Sequence, residues 1–281
     1  MSIVTVTAEE RVTGQLTEEN ARQAYRCLDG EGFVVLRGGF APYTVDEMYR
    51  EYQAQYGHLN LAEMEELARG PGAVMSVGKS RFEMVMRLTG AFDARVYANP
   101  VLLRFLTPLI GQDMRLSGVS AVAAYPGADR QHVHRDAGHL FADYRVGPTL
   151  PTYAINVAVP LIDVDHTIGP TAIWPGTHRF TDGTEVTNDR PPTVHTFQRG
   201  DAILIDYRTL HGGQPNMSQI VRPILYLVYA RSWFFDDVNH THRSPLDMPL
   251  ETFQALPEDL KPLLLRAYSQ QIRAKKLLNR A

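Results

Sequence analysis

The sequence predicts a mainly β protein with helical flanks, an antiparallel sandwich or jelly roll, and three observations carry that expectation. Between Val74 and Arg231, short β-type runs follow one another: SGVSAVAAYPG, PTYAINVAVPLI, TAIWPG, DAILIDYRTLHGG and RPILYLVYARSWF. Gly, Pro and Asp punctuate them, as turn residues should. One main helical stretch, NPVLLRFLTPLIG at 99–111, interrupts the series, whereas a βαβ fold would put a long helix between successive strands.

The elements follow in order. Thr17 stands before EENARQAYRCLDG, where Ala21, Ala24, Tyr25 and Leu28 recur at helical spacing until Gly30 and Gly32 break the pattern. GFVVLRGGF (32–40) reads as a β-branched strand, and VDEMYREYQAQYGHL and LAEMEELARG read as acidic helices. The final LPEDLKPLLLRAYSQQIRAKKLLNR returns to helix with a basic end. No repeat, low-complexity tract or linker divides the chain, so residues 1–281 are read as one domain. Gly70, Pro71 and Gly72 punctuate residues 58–80, which are expected to form a mobile cover over an active site.

Composition narrows the function. The 281 residues are 44% apolar and 21% charged, enough to enclose a substantial core. A net charge of −3 with interspersed signs offers no basic stripe for nucleic acid, which leaves a small molecule as the expected ligand. No apolar run reaches the roughly 18 residues of a membrane span, and MSIVTVTAEERVTG lacks the layout of a secretory signal, so a cytoplasmic protein is expected. Cys27, the lone cysteine, reads as a small buried residue; any metal must be held by nitrogen and oxygen.

The stretch RQHVHRDAGHLF, residues 130–141, supplies such donors. In a strand, positions i and i+2 share a face, so His134 and Asp136 present an imidazole and a carboxylate side by side; His132 shares their parity, and spacing alone does not exclude it. The best third donor is His211, which closes the strand DAILIDYRTL before a Gly-Gly turn. Two histidines and a carboxylate form the facial triad that leaves three positions open on a non-haem iron(II). Arg222 lies eleven residues beyond His211, two strand lengths around a turn, where its guanidinium could pair with a dicarboxylate beside the metal or form a salt bridge at the sheet edge.

His134-x-Asp136, IGPTAIWPGTH at 168–178, GDAILIDYRTLHGG at 200–213, the His211 to Arg222 interval and LDGEGFVVLRGGF together resemble the phytanoyl-CoA dioxygenase family of iron(II)- and 2-oxoglutarate-dependent oxygenases. That resemblance implies a double-stranded β-helix, with His134, Asp136 and His211 as iron ligands and Arg222 gripping the distal carboxylate of 2-oxoglutarate. Gln131 and Thr171 match positions that hydrogen-bond the cosubstrate in some members. With O2 as co-reactant, the implied reaction oxidises a C–H bond of a small organic molecule in natural-product biosynthesis. Hydroxylation leads, ahead of desaturation, cyclisation and epimerisation. HTIG replaces the family's usual acidic-Asn-Gly lead-in, and PGTH its PGSH. Related halogenases lack the metal carboxylate, so Asp136 disfavours halogenation. The competing readings are a non-catalytic metal-binding jelly roll and a zinc-dependent hydrolase, the latter leaving Arg222 no cosubstrate to hold. No basic phosphate-cradling loop points to an acyl-CoA substrate.

Other residues carry two readings each. His139 could line the substrate pocket or sit on a surface loop. Lys79, with Arg81, could meet an acidic substrate group or form a solvated face beside Glu83. Trp174 and Trp233 could stack on a substrate ring, although core packing is the plainer role. His178 and His195 are read as structural. The LYLVYARSWFF run could supply a homodimer surface as readily as a core strand.

Overall fold

Two antiparallel sheets face each other in the computed structural model, which describes residues 2–90, 92, 94–141, 146–180, 190–236, 239–240 and 244–269. The strands are β1 (Ile3–Thr5), β2 (Phe33–Arg37), β3 (Val74–Ser76), β4 (Arg81–Val85), β5 (Arg115–Ala124), β6 (Ala154–Pro160), β7 (Thr171–Ile173), β8 (Thr193–Val194), β9 (Ala202–Asp206), β10 (His211–Gly213) and β11 (Arg222–Ala230). The large sheet has the order β1-β2-β9-β6-β11-β5-β4-β3 and the small one β10-β7-β8. All pairings are antiparallel except β1 with β2. This is the expected jelly roll of mainly β structure with flanking helices.

The period of two along each strand divides the large sheet into faces with different work. Odd residues of β5 and β11 (Val119, Ala121, Ala123; Leu225, Leu227, Tyr229) pack with Leu28, Met48, Leu102 and Phe105 of the helices Glu18–Glu31, Pro42–Tyr52 and Pro100–Ile110. On the opposite face, Phe33, Val35, Ala158, Ile203, Ile205 and Ile224 meet Ile173 of the small sheet. Further along that face the side chains become polar and a cavity opens.

The helix Glu18–Glu31 begins where the sequence places it. The Thr17 hydroxyl accepts from Asn20 N (3.3 Å), and Gly32, at φ +80°, ends the helix in the left-handed conformation that glycine takes without strain. Cys27 is buried, and burial together with Glu31 pushes its thiol pKa up. Residues 270–281, the basic end of the predicted terminal helix, lie outside the described residues.

Two local expectations need correction. GDAILIDYRTLHGG is two strands in two sheets: β9 ends at Asp206, the chain turns, and β10 begins at His211. The turn is fixed by a buried ion pair, Arg208 Nε to Asp206 Oδ1 at 2.9 Å and Nη2 to Oδ2 at 2.8 Å, while the Thr209 hydroxyl donates to the Gly32 carbonyl. RQHVHRD is likewise no regular strand; His134 makes an isolated bridge with His211. Residues 58–80 contain the helix Leu61–Leu67, as the sequence predicts, and the edge strand β3, which pairs with β4.

Candidate active site

The isolated bridge brings the two histidines together. His134 N donates to the His211 carbonyl (3.0 Å), and His211 N returns a bond to the His134 carbonyl (2.9 Å). Gln131 N to Gly213 O (2.9 Å) and Ala137 N to Tyr207 O (3.2 Å) extend this pairing, so an irregular segment is held beside β10 as a strand would be. Arg135 points the other way, its Nη1 donating to the carbonyls of Thr177 (2.9 Å) and Arg208 (2.6 Å).

Tautomers follow from the partners. His134 Nδ1 faces the His132 carbonyl at 2.9 Å and His211 Nδ1 faces the Thr209 carbonyl at 3.0 Å. Because a carbonyl only accepts, each Nδ1 carries the proton and each Nε2 keeps its lone pair for a ligand role. Burial, reinforced by the neighbouring His211 ring, pushes the His134 pKa down to about 4, which keeps that imidazole neutral. Asp136 Oδ1 lies 3.7 Å from His211 Nε2, and the ligand atoms of His134, Asp136 and His211 all fall within 4.8 Å of one another. Two imidazoles and one carboxylate are a donor set that fits a divalent ion such as iron(II).

Beside the three donors is a cavity of about 340 Å³, walled by β5, β11, β3 and the segment after β11. Arg222 lies in this wall with 1% exposure. Its Nη1 donates to the Gly169 carbonyl, its Nε is buried without a partner, and among the described residues no carboxylate pairs with it. Gly169 is required there: at φ +81°, a Cβ would come within 2.6 Å of the Gln214 and Pro215 carbonyl oxygens. Burial, and secondarily Arg81, pushes the Arg222 pKa down to about 10, still well above neutrality. A buried cation without a protein counterion is costly, so this guanidinium is built to meet an anion.

Comparison with known proteins decides the family. The model of the phytanoyl-CoA dioxygenase (PhyH) family matches residues 28–224. The chain belongs to the PhyH family. Among curated relatives, "Dioxygenase af480" of Aspergillus fumigatus is 28% identical over 177 residues, 62% of this chain and 55% of that one. The match thus spans about half the length of that relative. Solved structures share the fold at 17% identity. The non-heme alpha ketoglutarate dependent carbocyclase SnoK from nogalamycin biosynthesis aligns with a TM-score of 0.59 over 86% of this chain and 95% of that one. The epimerase SnoN in complex with Fe3+, alpha ketoglutarate and nogalamycin RO aligns with a TM-score of 0.57 over 83% and 96%.

The other predicted residues of this PhyH chain divide cleanly. Gln131 and Thr171 line the cavity; Gln131 Oε1 accepts from Gly213 N (3.2 Å), and the Thr171 hydroxyl adjoins the Tyr226 phenol. His132 also lines it but is exposed, and offers its carbonyl to His134. His139 is neither pocket wall nor surface loop: it is buried, its Nε2 meets the Phe180 carbonyl, and it is absent from the cavity lining. Lys79 is exposed and lies 3.6 Å from Asp129, outside the cavity wall. Trp174 is buried against Ala172 and Leu210, whereas Trp233 is 60% exposed.

Arg81 overturns the solvated-face reading. It is 1% exposed, and Arg81 and Arg222 flank Ala124 from the two neighbouring strands. Its Nη2 donates to the carbonyls of Asp129 and Gln214, both at 3.0 Å, joining the approach to His134 to the exit from His211. A Cβ on Gly213 would meet Arg81 Nη1 at 2.5 Å, so a side chain there would displace the guanidinium. Two further residues escaped the sequence reading. Asn156 Nδ2 donates to Asp136 Oδ2 (3.0 Å), and Asn239 Nδ2 donates to the Asp136 carbonyl (2.7 Å).

Proposed function

We propose that this chain is an iron(II)- and 2-oxoglutarate-dependent oxygenase that oxidises a C–H bond of a small organic molecule in natural-product biosynthesis. The reading rests on one arrangement: two histidine Nε2 atoms and an Asp136 oxygen converge beside a buried, unpaired Arg222. When bound, iron and 2-oxoglutarate supply oxygen activation, with the cosubstrate leaving as succinate and CO2. The chain supplies placement. His134, Asp136 and His211 hold the metal, and Arg222 pairs with the distal carboxylate of 2-oxoglutarate. Thr171 and Gln131 add hydrogen bonds to the cosubstrate, and the walls of β3, β5 and β11 keep water from the reacting carbon.

Hydroxylation is the default outcome. Desaturation, ring closure and epimerisation belong to the same chemical repertoire, and SnoN and SnoK are named as an epimerase and a carbocyclase. The family name does not set the substrate, because the sequence has no phosphate-cradling loop for an acyl-CoA. Among the described residues no helix is long and apolar enough to cross a membrane, and a cytoplasmic location is the proposal that accompanies this reading. The LYLVYA part of the run considered for a homodimer lies inside the large sheet, so pairing of two copies there would fall to the exposed Trp233 and Phe235.

The decisive test is succinate release from 2-oxoglutarate in oxygenated buffer with iron(II). Wild-type protein should release succinate, and His134→Ala and Asp136→Ala should lower the rate by about a thousandfold or more. Undiminished release from either variant would end the proposal, and so would wild-type protein that needs neither oxygen nor iron.

A further inference from the structure

We infer that Asn156 and Asn239, neither of them a donor to the metal, are positioning residues that make Asp136 a ligand through one oxygen only; this rests on the metal-site reading above. Asn156 is a lone amide within AINVAVP, a strand whose seven residues are all buried. Its partners in register are Val228 on β11 and Ile205 on β9, so its place on the sheet is apolar on both sides. The side chain is 7% exposed, and its single hydrogen bond runs from Nδ2 to Asp136 Oδ2; Oδ1 is buried without a partner. An ionised carboxylate only accepts, which settles which end of the amide faces Asp136. A branched apolar residue would fill this place without stranding an acceptor. What the position retains by being asparagine is therefore one donor, aimed at one carboxylate oxygen.

That donor has a chemical consequence. A carboxylate free to rotate can turn both oxygens to a metal and take two coordination positions. Holding Oδ2 fixes the plane of the group and leaves Oδ1, on the His211 side, as the metal-facing atom. Three positions then stay open, the number needed for two cosubstrate oxygens and O2. Asn239 holds the same residue through its main chain, with Nδ2 on the Asp136 carbonyl. It is anchored in turn by Asp236, which accepts from Asn239 N at 3.0 Å and Nδ2 at 2.9 Å. Asp236 and Asn239 both line the cavity, so the segment that follows β11 is clasped to the metal-binding segment.

The experiment is anaerobic iron(II) titration of the full-length protein, followed by the visible charge-transfer band that appears when 2-oxoglutarate chelates iron. Asn156→Leu keeps the volume without the donor, and Asn156→Asp keeps the shape but sets a second carboxylate beside Asp136. Both should weaken iron binding by about 10- to 100-fold and shift or broaden the band, while Asn239→Ala, at an exposed site, should weaken binding only a few-fold. Thermal melting of the metal-free proteins identifies any variant that fails to fold; the other Asn156 variant then carries the test. Wild-type affinity and an unchanged band in folded Asn156→Leu or Asn156→Asp would overturn the positioning role while leaving the oxygenase reading intact. Failure of wild-type protein to bind iron would overturn both.

Discussion

The two faces of β5, β6 and β11 belong to the same three strands yet obey different rules. Toward the helices stand Val119, Ala121, Val157, Leu225, Leu227 and Tyr229, all at 0% exposure and all able to pack without partners, save the Tyr229 hydroxyl, which donates to the Tyr97 carbonyl (2.7 Å). Toward the small sheet stand Ser120, Asn156, Arg222 and Tyr226, where Arg222 Nε and Asn156 Oδ1 are buried without partners. Natural interiors rarely tolerate such atoms unless something else compensates. The difference teaches that one face carries stability and the other gives up some of it for a site: alternation along a strand lets a single element do both.

Arg222→Ala is the sharpest way to break this division. If the cavity face serves binding, losing the guanidinium should raise the 2-oxoglutarate KM by about 100- to 4,000-fold, in line with the 3–5 kcal/mol lost when one partner of a buried charge pair is removed. Turnover at saturating cosubstrate should fall far less, and the metal-free protein should melt no lower than wild type, since a buried unpaired cation has been removed. Steady-state kinetics and a melting curve check both; a large loss of stability with an unchanged KM would make Arg222 a structural residue.

Leu227→Ala tests the opposite face. Its side chain is fully buried in the helix-side core, so the substitution should cost about 3 kcal/mol of unfolding free energy, from the lost burial of three carbons together with the cavity left behind. Succinate release per folded molecule should stay within about twofold of wild type. Chemical denaturation together with an activity assay reads both quantities; a specific loss of activity would show that the two faces are coupled.

What the sequence allows a reader to see follows the same geometry. His134 and Asp136 are legible because two ligand types stand two apart, and His211 because it closes an apolar run. The change of sheet between them is not, since YRTL contains no Gly or Pro; the Asp206–Arg208 pair makes that turn, and an ion pair between neighbours has no periodic signature. Arg81 was misread for a related reason. In RFEMV, Phe82 and Met84 alternate with Arg81 and Glu83, which is the available signal for a strand, but polar alternation looks like a solvated face until β5 and the small sheet cover it. Asn156 offers the fainter sign of one amide in an apolar strand. Asn239 offers none, because its contact with Asp136 spans 103 residues and depends wholly on the fold.

His178 joins the two layers and gives the smallest effect. It is 3% exposed; its Nε2 meets the Asp29 carbonyl at 3.0 Å near the end of the helix Glu18–Glu31, and its Nδ1 is buried without a partner above Gly32. Burial holds its pKa below the ordinary 6.5, outweighing the nearby Asp206. The folded state therefore binds fewer protons here than the unfolded state does, so His178 contributes stability that is complete above about pH 6.5 and is lost as the pH falls toward the lowered folded value. His178→Gln keeps a donor for the Asp29 carbonyl and removes the titration. The metal-free variant should lose less melting temperature than wild type between pH 6.5 and 5, while the two should differ by a pH-independent offset above pH 7. His134 and His195 are lowered by burial as well, so some acid sensitivity must survive the substitution. An acid limb identical to that of wild type would mean that the contact between the helix end and the small sheet is not where protonation enters the fold.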